Sequence, residues 1–211
     1  MQKSFADKPF KLLDVGAGNH SASRIVSLFP NCEYYGLDRD KTYNNSGHDF
    51  SVMKDFYELD LTALEYTIIP GQFFDGIWMA HVIEHLHNGD EVLPGLIQKL
   101  KPGGFFYIEY PGGKSTTLPS MKDTLNFKDD ATHVRLYSVP ELTTIFEANG
   151  CTVIQGHKKK LVLYRFPAFE SCYFTSPEGI CTRKCFLGFT GVCRISMGKE
   201  KIINFFCSGT H

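Results

Sequence analysis

Short apolar runs alternate with longer amphipathic stretches along most of this chain. Residues 11–15 read as a buried strand that carries Asp14 near its end and turns through Gly16 and Gly18 into a helix. A second strand, 33–37, ends in Asp38, and a third, 56–61, ends in the acid Asp60 followed by Leu61, with Thr62-x-x-Glu65 as a capping box opening a helix. Residues 73–80 are apolar, too short to span a membrane and suited to a buried parallel strand. A helix over 89–100 stops at Lys101-Pro102-Gly103-Gly104, and a strand follows over 105–110. Ser138-Val139-Pro140-Glu141 is another capping box, opening a helix over 139–149 that Gly150 closes. Residues 151–156 and 201–207 read as a sixth and a seventh strand. Strands alternating with helices imply an α/β protein with a parallel sheet covered on both faces.

The first turn narrows the chemistry. Glycine there lets the backbone approach a ligand closely, and a carboxylate at the next strand end can accept both hydroxyls of a ribose. A dinucleotide fingerprint wants a third glycine three positions beyond Gly18, where Ser21 stands. Asp14 would also set negative charge beside a pyrophosphate, whereas a cationic sulfonium ligand is compatible with it.

The pattern Asp14-x-Gly16-x-Gly18 resembles the first motif of class I S-adenosylmethionine-dependent methyltransferases, of type 11/23. "DVGAG", "GLD", "ELDLT", "FDGIWMAHVIEHL" and "LKPGGFFYIEYP" follow one another in the order and spacing of that fold, over residues 10–157. His20 departs from the pattern, since many members carry glycine at that place. The resemblance implies a Rossmann-like, doubly wound, seven-stranded, mainly parallel sheet with an antiparallel last strand. S-adenosylmethionine is the implied cofactor, met by Asp14, Gly16, Ala17, Gly18, Asn19, His20, Asp38, Asp60, Leu61, Ala80 and His81. Asp38 would take the ribose, Asp60 and Leu61 would flank the adenine, and Asn19 and His20 would reach the methionine end. Each has a plainer reading: Asp14 as a helix cap, Asp38 as a turn residue, Asp60 as the cap of the Thr62 helix, and Asn19 and His20 as turn-former and helix start.

Composition alters this picture little. At 211 residues with a net charge of −1, one α/β domain is expected, without the basic face that nucleic-acid binding demands. The run Lys158-Lys159-Lys160 reads as a solvated strand end. Without an apolar leader or a membrane-length segment, the expectation is a cytoplasmic protein with free thiols. In the family the last two strands commonly form a short hairpin, whereas here residues 158–200 form an insertion. It holds Cys172, Cys181, Cys185 and Cys193 among many aromatics, including Phe166, Phe169, Tyr173 and Phe186. The 181/185 spacing suits two zinc thiolates but lacks a matching second pair, so an apolar cover or a homodimer surface is expected there instead.

His81-Val82-Ile83-Glu84-His85 matches the inverted zinc-protease pattern H-x-x-E-H. That chemistry needs both histidines on one helical face, whereas this motif directly follows a buried strand, so no metal is expected. Ala80 and His81 would line the cofactor, Glu84 and His85 would fix the loop, and His81 remains a candidate general base. Residues 111–137 are too long for an idle connection, and the family builds its acceptor wall there. "DDATHVRLYS" is similar to a stretch in methyltransferases of glycan and secondary-metabolite pathways. His133 could deprotonate a hydroxyl and Arg135 could hold a carboxylate or phosphate. Equally, Asp130, His133 and Arg135 could lock the loop to the sheet. The expected function is methyl transfer to an oxygen of a small molecule or glycan. A cofactor-binding protein without transferase activity is the alternative, and a nicotinamide-dependent dehydrogenase stands third.

Overall fold

The alternation along β1 (Phe10–Val15) explains why the sheet lies between two apolar layers. Phe10 and Leu12 join Ala17, Ala22 and Tyr34 in one buried cluster, while Leu13 and Val15 join the larger cluster on the opposite face. Residues two apart on a strand share a face, so a buried run of this kind must be covered twice. The computed structural model describes residues 8–120, 126–162 and 196–207, with side chains as far as Val153.

β1 pairs in parallel with β2 (Cys32–Asp38) and with β4 (Phe74–Ala80); β2 pairs with β3 (Met53–Glu58), and β4 with β5 (Leu100–Tyr110). These five parallel strands form the body of the sheet in the order β3-β2-β1-β4-β5. Beyond β5 the backbone of β7 (Ser196–Cys207) pairs antiparallel with it, and β6 (Cys151–Val162) pairs antiparallel with β7. Helix α1 (Ser21–Leu28) covers the first face through Ala22, Ile25 and Val26. Helices α3 (Gly89–Ile97) and α4 (Val139–Ala148) cover the second, through Val92, Leu93, Leu96, Leu142 and Phe146. The Phe146 ring meets Phe106 of β5 edge-on at 4.9 Å, and each such fully buried side chain contributes about 1.5–3 kcal/mol.

The capping box at Ser138 and Glu141 forms as expected, with Pro140 in the first turn and Gly150 in the left-handed region after the helix. The one at Thr62 does not. Asp60 takes the Thr62 amide instead, and residues Leu61–Ala63 make a single 3-10 turn. An aspartate two residues ahead outcompetes the threonine for the cap, and Leu64 in the left-handed region ends the turn. A short helix, α2 (Gly47–Val52), was not legible from periodicity because it is too brief to show one.

Of the insertion expected over 158–200, the backbone of 158–162 and 196–200 belongs to β6 and β7; the remainder, with Cys172, Cys181, Cys185, Cys193 and the aromatics, lies outside the described residues. Cys32 is a free, buried thiol, as expected. Cys151 is disulfide-bonded, against the expectation of free thiols. The backbone register sets Cys207 of β7 opposite it. Among the described residues, no helix is long and apolar enough to cross a membrane.

Candidate active site

Sheet register brings the distant motifs to one edge. Val15 stands opposite Leu37 on β2 and Met79 on β4, so Gly16, Asp38 and Ala80 leave the sheet at the same level. Glu109 of β5 lies beside Ala80. Here the strand order reverses, since the chain runs outward from β1 through β2 and β3, then returns to β4 on the other side. Connections that diverge from one edge leave a crevice outside the carboxyl ends of the strands.

The turn after β1 is held by the backbone. The amides of Gly16 and Ala17 both donate to the Leu37 carbonyl, at 2.8 and 3.0 Å, and Gly18 donates back to Gly16. Gly16 has φ +83°, and a Cβ there would lie 2.4 Å from Val82 Cγ2. A Cβ at Gly18 would lie 2.6 Å from Tyr43 Cδ1 and 3.0 Å from the Tyr43 carbonyl. The glycines are thus required first by the chain's own packing, because the 40–45 loop and Val82 already press on the turn.

Asn19 and His20 follow with φ of 53° and 60°. Two consecutive non-glycine residues in the left-handed region are unusual. The strain is offset by a partner: His20 Nδ1 lies 2.7 Å from Oδ2 of Asp49. Asp49, fully buried on α2, also accepts from Ser23, from the Ser46 hydroxyl at 2.6 Å and from the Ser46 amide at 2.7 Å. Burial opposes its charge, but the hydrogen bonds from Ser23, Ser46 and His20 outweigh it and hold the carboxyl below the usual range. Sequence reasoning missed Asp49; the Ser46-x-x-Asp49 spacing of a capping box was the available signal.

The three other carboxylates have different surroundings. Asp14 is buried, accepts the Tyr34 hydroxyl at 2.5 Å, and Ser21 Oγ stands 2.8 Å behind that hydroxyl. Burial pushes its carboxyl up to about 6, against the lowering effect of Tyr34 and Ser21. Asp14 caps no helix; it ties the end of β1 to β2 and the start of α1. Asp38 Oδ1 accepts the Asp40 amide at 3.0 Å, the turn role read as its alternative, which leaves Oδ2. Asp60 Oδ1 is engaged by the Thr62 amide and hydroxyl, at 2.8 and 2.7 Å, so its capping role is realised; Leu61 beside it is buried.

Past Ala80, His81 sits at φ 55°, its amide bound to the Glu109 carbonyl at 2.9 Å. Ile83–His85 form one 3-10 turn, too short to set His81 and His85 on one helical face. Residues 130–137 dock on this turn: the Val134 and Arg135 amides donate to the Glu84 carbonyl, and the Tyr137 hydroxyl donates to the Leu86 carbonyl at 2.7 Å. His133 is thereby carried to His85, with ring centroids 4.8 Å apart, and it packs on Phe127 at 4.7 Å. Arg135 spends its fork on Asp90 at 2.7 Å, the His87 carbonyl at 2.9 Å and Glu141 at 2.8 Å. Its cation also lies 4.7 Å over the Tyr137 ring. These contacts are the loop-locking alternative for Arg135, joining residues 130–137 to both α3 and α4.

A family model described as a methyltransferase domain matches residues 2–156. No curated protein matches the chain significantly. Among solved structures, it is similar to a SAM-dependent methyltransferase from Archaeoglobus fulgidus, with a TM-score of 0.60 and 17% identity over 97% of this chain and 88% of that one. It is also similar to the complex of the Haloferax volcanii Trm112 methyltransferase activator and a putative methyltransferase, with a TM-score of 0.67 and 14% identity over 100% of this chain and 89% of that one. A third is the 1,6-didemethyltoxoflavin-N1-methyltransferase of Burkholderia thailandensis, solved with bound 1,6-didemethyltoxoflavin and S-adenosylhomocysteine, with a TM-score of 0.56 and 13% identity over 97% of this chain and 73% of that one.

Proposed function

Because this chain belongs to the methyltransferase-domain family, we propose that it moves a methyl group from S-adenosylmethionine to an oxygen of a small molecule or glycan. The observation that carries the reading is the common level of Gly16, Asp38 and Ala80 at the carboxyl edge of the sheet. S-adenosylmethionine would supply an electrophilic methyl on a sulfonium, to be attacked in line by the acceptor with S-adenosylhomocysteine as the leaving group.

The residues present suit that ligand. Asp38 Oδ2 is the acceptor for the ribose hydroxyls, since Oδ1 is held by the Asp40 amide. Asp60 and Leu61 frame the adenine, with the remaining oxygen of Asp60 for the exocyclic amine. Gly16, Ala17, Gly18, Asn19 and His20 border the methionine end, with Asp14 behind them, and Ala80 and His81 close the crevice from β4. Displacement at sulfonium asks the protein mainly for alignment and exclusion of water. A hydroxyl acceptor must also lose a proton, and His133 or His81 takes it. His133 is the better placed in one respect: its Nδ1 faces the Phe127 carbonyl at 2.8 Å, so in the neutral ring Nε2 holds the lone pair.

The test is transfer of a radiolabelled methyl to a panel of hydroxylated and amino acceptors. Label is expected in a base-stable ether of a hydroxylated acceptor. Label on nitrogen alone would reject the oxygen assignment, and tight binding of S-adenosylhomocysteine with no turnover on the panel would favour a binding protein. Tighter binding of NAD than of S-adenosylhomocysteine would overturn the reading altogether.

A further inference from the structure

We propose that Glu84, His85 and His133 form a binding site for one divalent first-row transition-metal cation. One ligand-bearing atom of each residue lies within 4.8 Å of the other two. The sequence led to the expectation of no metal, argued on His81 and His85; the docking of residues 130–137 brings His133 to Glu84 and His85 instead, and the proposal departs from that expectation.

Glu84 supplies the strongest observation. It is 1% exposed, and neither of its carboxylate oxygens has a hydrogen-bond partner. His81 Nδ1, 3.3 Å from Oε1, pairs with it only when that ring is protonated. A buried carboxylate left without donors is costly, and a coordinated cation is one of the few ways to offset that cost.

The two imidazoles point to the same ligand. His133 Nδ1 faces the Phe127 carbonyl, which can only accept, so that nitrogen carries the proton. Thr132 commits its single hydroxyl hydrogen to Asp130 Oδ1 at 2.5 Å. Its oxygen, 2.9 Å from His85 Nδ1, therefore accepts, as does the Thr132 carbonyl at 3.2 Å. Both neutral rings thus donate through Nδ1 to the loop and keep the lone pair on Nε2. Histidine ligands are oriented in this way in metal sites, by a backbone or hydroxyl acceptor on the far nitrogen. Asp130 Oδ2, 3.8 Å from His133 Nε2, adds a second negative charge beside the triad.

Two imidazoles and one carboxylate suit zinc, cobalt, manganese or iron(II) rather than calcium or magnesium. Tetrahedral ligands about 2.1 Å from zinc stand about 3.4 Å apart, so from separations of up to 4.8 Å the triad must close by up to about 1.4 Å on loading. Three protein ligands leave a coordination position for water or for an oxygen of the acceptor. With the Nε2 lone pair of His133 on the metal, the acceptor's proton would pass to His81; the site itself does not depend on which acceptor is methylated.

Untagged full-length protein, stripped with a chelator, would be titrated with Zn2+ by calorimetry and with Co2+ by visible absorption. One Zn2+ per chain is expected at micromolar or tighter affinity, with a Co2+ band. His85→Ala and His133→Ala should each weaken zinc at least tenfold, while His48→Ala on the surface should not. Glu84→Gln should do the same if it folds; His133→Ala, whose circular dichroism and S-adenosylhomocysteine affinity should match wild type, carries the test if it does not. No stoichiometric binding, or zinc retained at full affinity in His133→Ala, overturns the site. Zinc lost in His81→Ala but kept in His133→Ala would assign it to the H-x-x-E-H pair and overturn the triad.

Discussion

At the scale of single residues, the crevice combines groups whose environments push them in opposite directions. The Asp14 carboxyl, raised from 3.8 to about 6 chiefly by burial, keeps its proton in the folded protein at pH values where the unfolded chain has lost it. Its contribution to stability is therefore fully present below about 3.8 and disappears as the pH rises through about 6. Asp14→Asn cannot titrate, so between pH 4 and 7 it should gain about 3 kcal/mol relative to wild type, read from urea unfolding at each pH. A difference flat across that range would show that Asp14 is solvated. Asp49 acts in the other sense, adding stability above the ordinary aspartate value and losing it in acid. Asp38→Ala should weaken S-adenosylhomocysteine binding by about 1–3 kcal/mol while leaving the fold intact, as calorimetry would measure. Gly18→Val should reduce the same affinity, because its side chain must displace Tyr43 and with it the 40–45 loop. Unchanged affinity in that variant would show that the turn and its cover stand away from the ligand.

At the scale of elements, the connection between β5 and α4 is fixed by few but specific contacts. Glu84 offers its carbonyl to two amides of that connection, Tyr137 bridges the Leu86 carbonyl and the Gly89 amide, and Arg135 reaches Asp90 and Glu141. The ion pairs of Arg135 are partly exposed, and each is worth about 0.5–1 kcal/mol after screening. Arg135→Ala should thus cost about 1–2 kcal/mol in urea unfolding and leave S-adenosylhomocysteine affinity within about twofold. If stability held while methyl transfer collapsed, Arg135 would instead belong to acceptor binding.

At the scale of the whole molecule, five parallel strands in register present three motifs at one edge. A ligand held across β1, β2 and β4 binds only the folded sheet and must raise its stability by mass action. At a concentration about a hundredfold above its Kd, S-adenosylhomocysteine should add about 2.7 kcal/mol, seen as a higher Tm. NAD at equal concentration should add little, and Asp38→Ala should remove most of the shift. A Tm raised equally by NAD and S-adenosylhomocysteine would mean that the edge does not discriminate between them.

The sequence by itself determined what depends on neighbours along the chain. The period-two burial of β1, the glycine turn after it, the capping box at Ser138 and the acids closing β2 and β3 are all short-range properties, set by side-chain alternation and turn stereochemistry. They were enough to place Gly16, Asp38 and Ala80 at strand ends, and so to foresee the crevice. Tertiary structure decided the partners. Val82 and Tyr43 are what the glycines make room for, Asp49 is what steadies His20, and Tyr34 is what Asp14 binds. His133 and Glu84 stand 49 positions apart, and no local pattern pairs them. They meet because the backbone of residues 130–137 finds its hydrogen bonds on the turn after β4, and those bonds join positions that no period along the chain relates.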